Sequence, residues 1–265
     1  MKIVIKIGGQ AQEDPRQRRN ITRQIAQIRH AGHRVAVVHG GGKLLTHTLA
    51  RLGMTSEFHQ GLRVTDAATR DVALMVLAGI VNKRWVADLE TAGQPALGIC
   101  GGDAGLVEAR KYWAGSSGSR RNLGFVGRAR KVNTAILEMA FSRGIVPVVA
   151  SLALSARGEY FNVNADDFAA ALATALKAHR LFYLTESGGV WDSERRLLPV
   201  VKRGEIRKMI SGGVVCDGMI PKLRSCARIL GRGVREIDIL SPAIPQGLLQ
   251  ALAAKKSIGT RIVKN

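Results

Sequence analysis

Short apolar runs that stop at glycine set the rhythm of this chain. Residues 2–9 read Lys-Ile-Val-Ile-Lys-Ile-Gly-Gly, and residues 35–43 read Val-Ala-Val-Val-His-Gly-Gly-Gly-Lys. Each pattern predicts a buried strand ending in a sharp turn. Between them Ile21, Ile25 and Ile28 recur at helical spacing behind Asp14-Pro15, which predicts an N-cap with proline in the first turn. That helix ends near Gly32, and a second one, carrying Leu44, Leu45, Leu49 and Leu52, ends near Gly53. Strand, helix, strand predicts neighbouring parallel strands with a right-handed crossover. The two glycine turns then share the carboxyl edge of the sheet, where ligands of α/β proteins bind.

The rest of the chain continues in this style. A polar break at 61–66 precedes a long helical stretch to about Ala92, which Asp66 can cap and to which Met75, Leu77, Val81 and Val86 contribute. Strands are predicted at 94–100, 105–110, 123–127 and 145–150, with a helix at 132–143 and a Gly-, Ser- and Arg-rich hairpin tip at 114–122. Residues 160–167, Tyr-Phe-Asn-Val-Asn-Ala-Asp-Asp, end a strand and open an alanine-rich helix to Leu176. A strand at 181–185, a turn at 186–190 and a hairpin at 192–195 come next. A glycine-rich loop at 212–222 runs into a helix with Leu223, Ala227 and Leu230. A strand at 236–240, a helix at 245–253 and a strand at 259–263 complete the pattern.

Composition narrows the class. The 265 residues are 46% hydrophobic but only 5% aromatic, so the core is built from Val, Ile, Leu and Ala. The longest apolar runs, such as 72–81, are too short to cross a bilayer. The first strand begins at once, with no signal peptide before it. Cys100, Cys216 and Cys226 lack metal-ligand spacing and read as reduced thiols of a cytoplasmic protein. Forty Lys and Arg against twenty Asp and Glu give a net charge of +20, dispersed along the chain. Such a surface attracts polyanions and anionic ligands. No nucleic-acid motif accompanies it, so it reads first as a solvated face.

The candidate chemistry is anionic. Amides of a glycine turn beside a helix start bind phosphate. The dinucleotide, P-loop and protein-kinase signatures are all absent, so any phosphate site is of another kind. Arg63, just before the long helix, is either a surface residue or a bidentate clamp for a carboxylate. Asp166 lies near a helix start, where a negative charge is favourable and where capping alone would explain it. Lys222 also lies at a helix start, where the dipole disfavours a cation unless an anion binds there.

Taken in order, these stretches resemble the amino acid kinase family over essentially the whole chain. The marks are Lys6-Ile7-Gly8-Gly9, His39-Gly40-Gly41-Gly42, Gly61-Leu62-Arg63-Val64-Thr65, Asn162-Val163-Asn164-Ala165-Asp166, Gly218-Met219-Ile220-Pro221-Lys222 and Gly259-Thr260-Arg261. The resemblance implies a three-layer αβα sandwich around a mostly parallel sheet. It implies an N-terminal lobe, 1–163, for the amino-acid substrate and dimer contacts, and a C-terminal lobe, 164–265, for ATP. The Arg63 loop and the Asn-Val-Asn-Ala-Asp stretch favour the branch that phosphorylates N-acetyl-L-glutamate over those acting on aspartate, glutamate or uridylate. By resemblance Lys6, Lys222 and Asp166 are catalytic, with Asp166 holding the two lysines. Lys6, Gly8, Gly9, Gly41, Glu186 and Lys222 hold ATP. Gly41, Gly42, Arg63 and Asn162 hold the substrate, and Mg²⁺ rides on the nucleotide phosphates.

Some residues depart from the family pattern. Gln60 stands where asparagine is usual, and Thr185-Glu186 stands for Thr-Asp. The 116–121 loop is unusually basic. No helix precedes the first strand, which implies a homodimer without arginine feedback. Two rival readings follow from the charge: a kinase whose substrate is carried by an acidic protein, and a polyanion-binding protein that keeps the fold without catalysis. Against the former, this chain has Gly-Leu-Arg-Val-Thr and Ala165-Asp166 where such relatives differ.

Overall fold

A computed structural model describes residues 1–115, 120–215, 219–253 and 258–264. Cys216, Gly218 and the centre of the predicted hairpin tip, 116–119, lie outside the described residues. Strand β1 (Lys2–Ile7) leads into the one-turn helix α1 (Gly9–Glu13) and then α2 (Pro15–His30), β2 (Arg34–His39) and α3 (Gly42–Arg51). A two-residue hairpin, β3 (Phe58–His59) and β4 (Leu62–Arg63), precedes one long rod. The rod comprises α4 (Ala67–Ala73), a π-helical stretch (Leu74–Val81) and α5 (Asn82–Thr91). Next come β5 (Ala96–Cys100), β6 (Val107–Ala114), β7 (Arg121–Val132), α6 (Ala135–Ser142), β8 (Val146–Ala150), β9 (Leu152–Leu154) and β10 (Tyr160–Val163). The last part holds α7 (Ala165–Ala175), β11 (Arg180–Leu184), β12 (Val200–Lys202), α8 (Ile206–Ser211), α9 (Met219–Leu230), β13 (Glu236–Leu240), α10 (Gly247–Ala253) and β14 (Thr260–Val263).

Eight strands form the central sheet in the order β12-β14-β13-β11-β1-β2-β8-β5. Every neighbouring pair is parallel except β13 and β14. β1 lies between β2 and β11, pairing Ile7 with His39 on one side and with Leu184 on the other. The two glycine turns and the Thr185-Glu186 turn therefore leave the same sheet edge. A second sheet of four strands, β10-β7-β6-β9, closes on itself where β9 pairs with both β10 and β6.

Strand alternation sends side chains to two separate cores. Ile3, Ile5 and Ile7 of β1 and Val35 and Val37 of β2 pack with α2, α3, the π-helical rod and α10. Val4 of β1 and Ala36 and Val38 of β2 pack with α6, α7, α9 and the second sheet. Helices on both faces of the sheet make the three-layer sandwich. By the same alternation Lys6 shares the face of Val4 and is carried toward α7 and α9.

Local signals account for most element ends. Asp14 caps α2 by accepting from Arg16 N at 2.8 Å, with Pro15 first in the helix. Asp66 caps α4 by accepting from Thr69 N at 2.7 Å. Several elements differ from the sequence reading: β3, β4, β9, β12 and α8 have no counterpart in it, and β6 and β7 both run into the expected hairpin tip. The strand expected at 123–127 runs on to Val132 because β6 pairs with it along its length. The following helix consequently starts at Ala135 rather than at 132.

Candidate active site

The site is built where β1, β2 and β10 end. Lys6 and Lys222 converge on one carboxylate: Lys6 Nζ lies 2.8 Å from Asp166 Oδ1, and Lys222 Nζ lies 2.7 Å from Asp166 Oδ2. Lys6 comes from the strand, Asp166 from the first turn of α7 and Lys222 from the first turn of α9. Asn164 caps α7 by accepting from the amides of Asp166 and Asp167 at 2.9 and 3.2 Å. Asp166 is thus freed from capping and left for the lysines. Burial by itself would raise its pKa, but the two ammonium groups outweigh it and hold the carboxyl well below the usual carboxylate range. Tyr183, fully buried on β11, donates from its hydroxyl to Asp166 O at 3.3 Å, and its ring lies 5.1 Å from Lys222 Nζ. That contact is a cation–π interaction.

The glycine turns approach this cluster in different ways. A Cβ on Gly8 would stand 2.5 Å from Leu184 O, so Gly8 is required by strand packing. Gly41 has φ +153, and a Cβ there would stand 2.7 Å from Leu77 of the π-helical stretch. Gly9 and Gly42 face open space, with nothing within 4 Å of a Cβ. They are the two places where a ligand can meet the backbone closely. The turn is fixed from below by His39, whose Nδ1 lies 2.9 Å from Gly40 O and whose Nε2 lies 3.0 Å from Asn82 Nδ2. Asn82 donates, so Nε2 is the acceptor and Nδ1 carries the proton that goes to Gly40 O. Complete burial pushes His39 down to about 4 and keeps it neutral.

Arg63 is buried rather than a surface residue, and it sits in β4 rather than in an open loop. Three of the five guanidinium donors are engaged, with Ser56 Oγ, with Gly42 O at 3.1 Å and with Thr46 Oγ1 at 2.7 Å. The guanidinium also stacks 4.5 Å from the Phe58 ring centroid. A cavity of about 160 Å³ joins Arg63 to Gly41, Gly42, Ser151 and Asn162. Asn162 Nδ2 reaches Thr65 Oγ1 at 3.5 Å. Glu186 stands at the sheet edge with half its side chain exposed, 3.5 Å from Lys43 Nζ.

The expected residues therefore fall into neighbouring groups. Lys6, Lys222 and Asp166 form the cationic cluster, and Gly41, Gly42, Arg63 and Asn162 line the small cavity. Gly259-Thr260-Arg261 is a structural tie: Thr260 Oγ1 accepts from Val190 N at 2.7 Å, and Arg261 pairs with the buried Asp238 at 2.9 Å. Tyr183, Asn82, Ser56 and Thr46 escaped the sequence reading. Asn82 did leave a trace, as a polar residue among the apolar positions Leu77, Val81, Trp85 and Leu89 of one helical face.

Parallel strands, paired lysines on one carboxylate and open glycine turns thus meet at one edge of the sheet. The chain belongs to the amino acid kinase family, whose model matches residues 1–241. It is 43% identical over 263 residues to the acetylglutamate kinase of Koribacter versatilis, covering 99% of each chain. It is 41% identical over 268 residues to the Bradyrhizobium acetylglutamate kinase, covering 99% of this chain and 90% of that one. The solved structure of N-acetylglutamate synthase from Neisseria gonorrhoeae, complexed with coenzyme A and N-acetyl-glutamate, superimposes with a TM-score of 0.87 at 27% identity. That likeness covers all of this chain but 59% of the longer synthase.

Proposed function

We propose that this chain catalyses the acetylglutamate kinase reaction of arginine biosynthesis. ATP phosphorylates the side-chain carboxylate of N-acetyl-L-glutamate, giving ADP and N-acetyl-L-glutamyl 5-phosphate. The observation that carries the reading is the pair of lysines on Asp166, set between open glycine turns. A carboxylate acceptor is already ionised at neutral pH, so no general base is needed. The difficulty is to bring two anions together and to stabilise the charge on the phosphoryl group in transfer. Lys6 and Lys222 supply fixed positive charge for that purpose, and Asp166 keeps both in place before substrate arrives. The open backbone at Gly9 and Gly42 offers amides to the phosphates, while Gly8 and Gly41 shape the turns.

Arg63 and Asn162 hold the substrate's α-carboxylate and neighbouring polar groups in the small cavity, beside Gly41 and Gly42. The bonds of Arg63 to Ser56 and Thr46 fix its orientation in advance, which lowers the cost of ordering it on binding. Glu186 contributes to the nucleotide side of the site. Among the described residues no cluster of His, Cys, Asp or Glu could hold a metal by itself. In this reading Mg²⁺ rides on the nucleotide phosphates, with few direct protein ligands. The substrate is bound by the part up to residue 163 and the nucleotide by the part from 164, although one continuous sheet joins them through β1 and β11. The active form is a cytoplasmic homodimer, which light scattering tests directly. Among the described residues, no helix is long and apolar enough to cross a membrane.

Hydroxylamine trapping of acyl phosphate tests the reaction. With ATP and free N-acetyl-L-glutamate the hydroxamate should accumulate, and with glutamate, aspartate or aminoadipate it should not. A folded, ATP-binding protein that makes none with any free amino acid would defeat this reading in favour of a carrier-bound substrate.

A further inference from the structure

We propose that Ser151 is a further substrate-contacting residue, whose hydroxyl donates to the side-chain carboxylate of N-acetyl-L-glutamate. The inference rests on the acetylglutamate kinase reading and deepens it. It assigns the polar group that meets the end of the substrate where the phosphoryl group arrives.

Sheet register puts Ser151 there. β2 and β8 pair His39 with Ala150, so Ser151 follows the strand end opposite Gly40. Its amide donates to His39 O at 3.1 Å, and its carbonyl accepts from Val163 N at 3.0 Å. Both backbone groups are engaged, and the residue is locked between the second glycine turn and the strand that carries Asn162. Alternation along β8 turns Val148 and Ala150 to one core and Val149 to the other. Ser151 continues the face of Val149, which is also the face of Val4 and Lys6 on β1.

The side chain is free to meet a ligand. A Cβ on Gly40 would stand 4.0 Å from Ser151 Oγ and 3.4 Å from the Cβ of Ala165, the residue before Asp166. Ser151 is only 2% exposed. Its hydroxyl nevertheless has no hydrogen-bond partner among the described residues, and it is not among the unpartnered atoms sealed inside the packing. Its accessible surface opens on the cavity of about 160 Å³ that Ser151 lines with Arg63 and Asn162. A buried hydroxyl without a partner is rare in a native interior unless a ligand or water completes it.

The two ends of the cavity suit the two carboxylates of the substrate. Arg63 reaches it from the Gly42 side, through its bond to Gly42 O at 3.1 Å. Ser151 reaches it from the Gly40 side, beside the start of α7. A substrate held at Arg63 by its α-carboxylate extends its side chain toward Ser151 and the lysine pair. One oxygen of that side-chain carboxylate forms the new bond to the γ-phosphorus as the bond to ADP breaks. Ser151 keeps its proton and holds the other oxygen, which fixes the rotation of the carboxylate and presents a single oxygen for attack.

The test compares wild type with Ser151→Ala and Ser151→Cys, which remove the hydroxyl with little change in size; melting curves report their folding. Calorimetric titration reads binding of ATP, of N-acetyl-L-glutamate and of N-acetyl-L-norvaline, in which a methyl group replaces the side-chain carboxylate. Hydroxylamine trapping reads kcat. Both variants should bind N-acetyl-L-glutamate roughly tenfold more weakly and turn over several-fold more slowly, while binding N-acetyl-L-norvaline and ATP as wild type does. A purely structural Ser151 would weaken both amino-acid ligands by the same factor, and that outcome overturns the proposal. So does wild-type affinity and turnover for N-acetyl-L-glutamate in the folded variants. Should one variant fail to fold, the other carries the test. If wild type turns over and the variants match it, the proposal alone falls. If wild type neither binds nor phosphorylates N-acetyl-L-glutamate, the kinase reading falls and takes the proposal with it.

Discussion

Asp166 accepts two cations at once, and that single fact sets what each neighbouring residue is worth. With Asp166→Asn the two lysines lose their shared counter-charge and repel one another, so kcat should fall at least tenfold while the protein stays folded. Steady-state kinetics beside a melting curve checks this. Arg63→Lys keeps a positive charge but loses the planar fork, so KM for N-acetyl-L-glutamate should rise about tenfold with a smaller change in kcat. His39 yields a prediction in pH. Its folded pKa, about 4, lies below the ordinary 6.5, so the unfolded chain binds the extra proton. The stability it contributes is complete above pH 6.5 and is lost as pH falls toward 4, a difference of about 3 kcal/mol. Denaturant unfolding at stepped pH should show that slope, and His39→Gln should flatten it. The sequence pointed to Lys6, Asp166 and Lys222 through their places in ordered motifs. Tyr183 was hidden because a tyrosine in a strand reads as core, and only the sheet brings it beneath Lys222.

At the scale of elements, the β3–β4 hairpin shows how a departure in sequence becomes a cost in structure. Its two central residues, Gln60 and Gly61, both have positive φ, at 49° and 78°. Two-residue hairpins of this kind favour asparagine before glycine, because asparagine tolerates the left-handed region better than glutamine. Gln60→Asn should therefore stabilise the protein by about 0.5 kcal/mol, read as a small rise in Tm. The hairpin also presents Arg63, so the same change should leave KM unaltered or lower it. The π-helical stretch plays a comparable part from the other side. Leu77 and Val81 press on Gly41, where a Cβ would stand 2.7 and 3.0 Å from them. Gly41→Ala should distort the turn and abolish most activity. The sequence predicted one long helix here. Periodicity cannot distinguish the π-helical stretch, because eight successive apolar or small residues carry no polar marker of the wider turn.

At the scale of the molecule, alternation along β1 decides the architecture of the site. Ile3, Ile5 and Ile7 anchor one core, Val4 anchors the other, and Lys6 follows Val4 toward α7 and α9. The parallel order of β2, β1 and β11 then brings turns distant in sequence to one edge. This much was legible in the apolar runs and their glycine stops. The second sheet was less so, because β6 and β7 owe their length to pairing with each other. The +20 charge remains a property of the surface as a whole. It should raise the association rate of anionic substrates at low salt, so kcat/KM should decline as ionic strength rises while kcat holds. The most direct measurement of the central claim is kcat for Lys6→Ala and Lys222→Ala at saturating ATP and N-acetyl-L-glutamate. Each should lose roughly 10²- to 10³-fold, with wild-type folding by circular dichroism. Either variant turning over near the wild-type rate would contradict the mechanism.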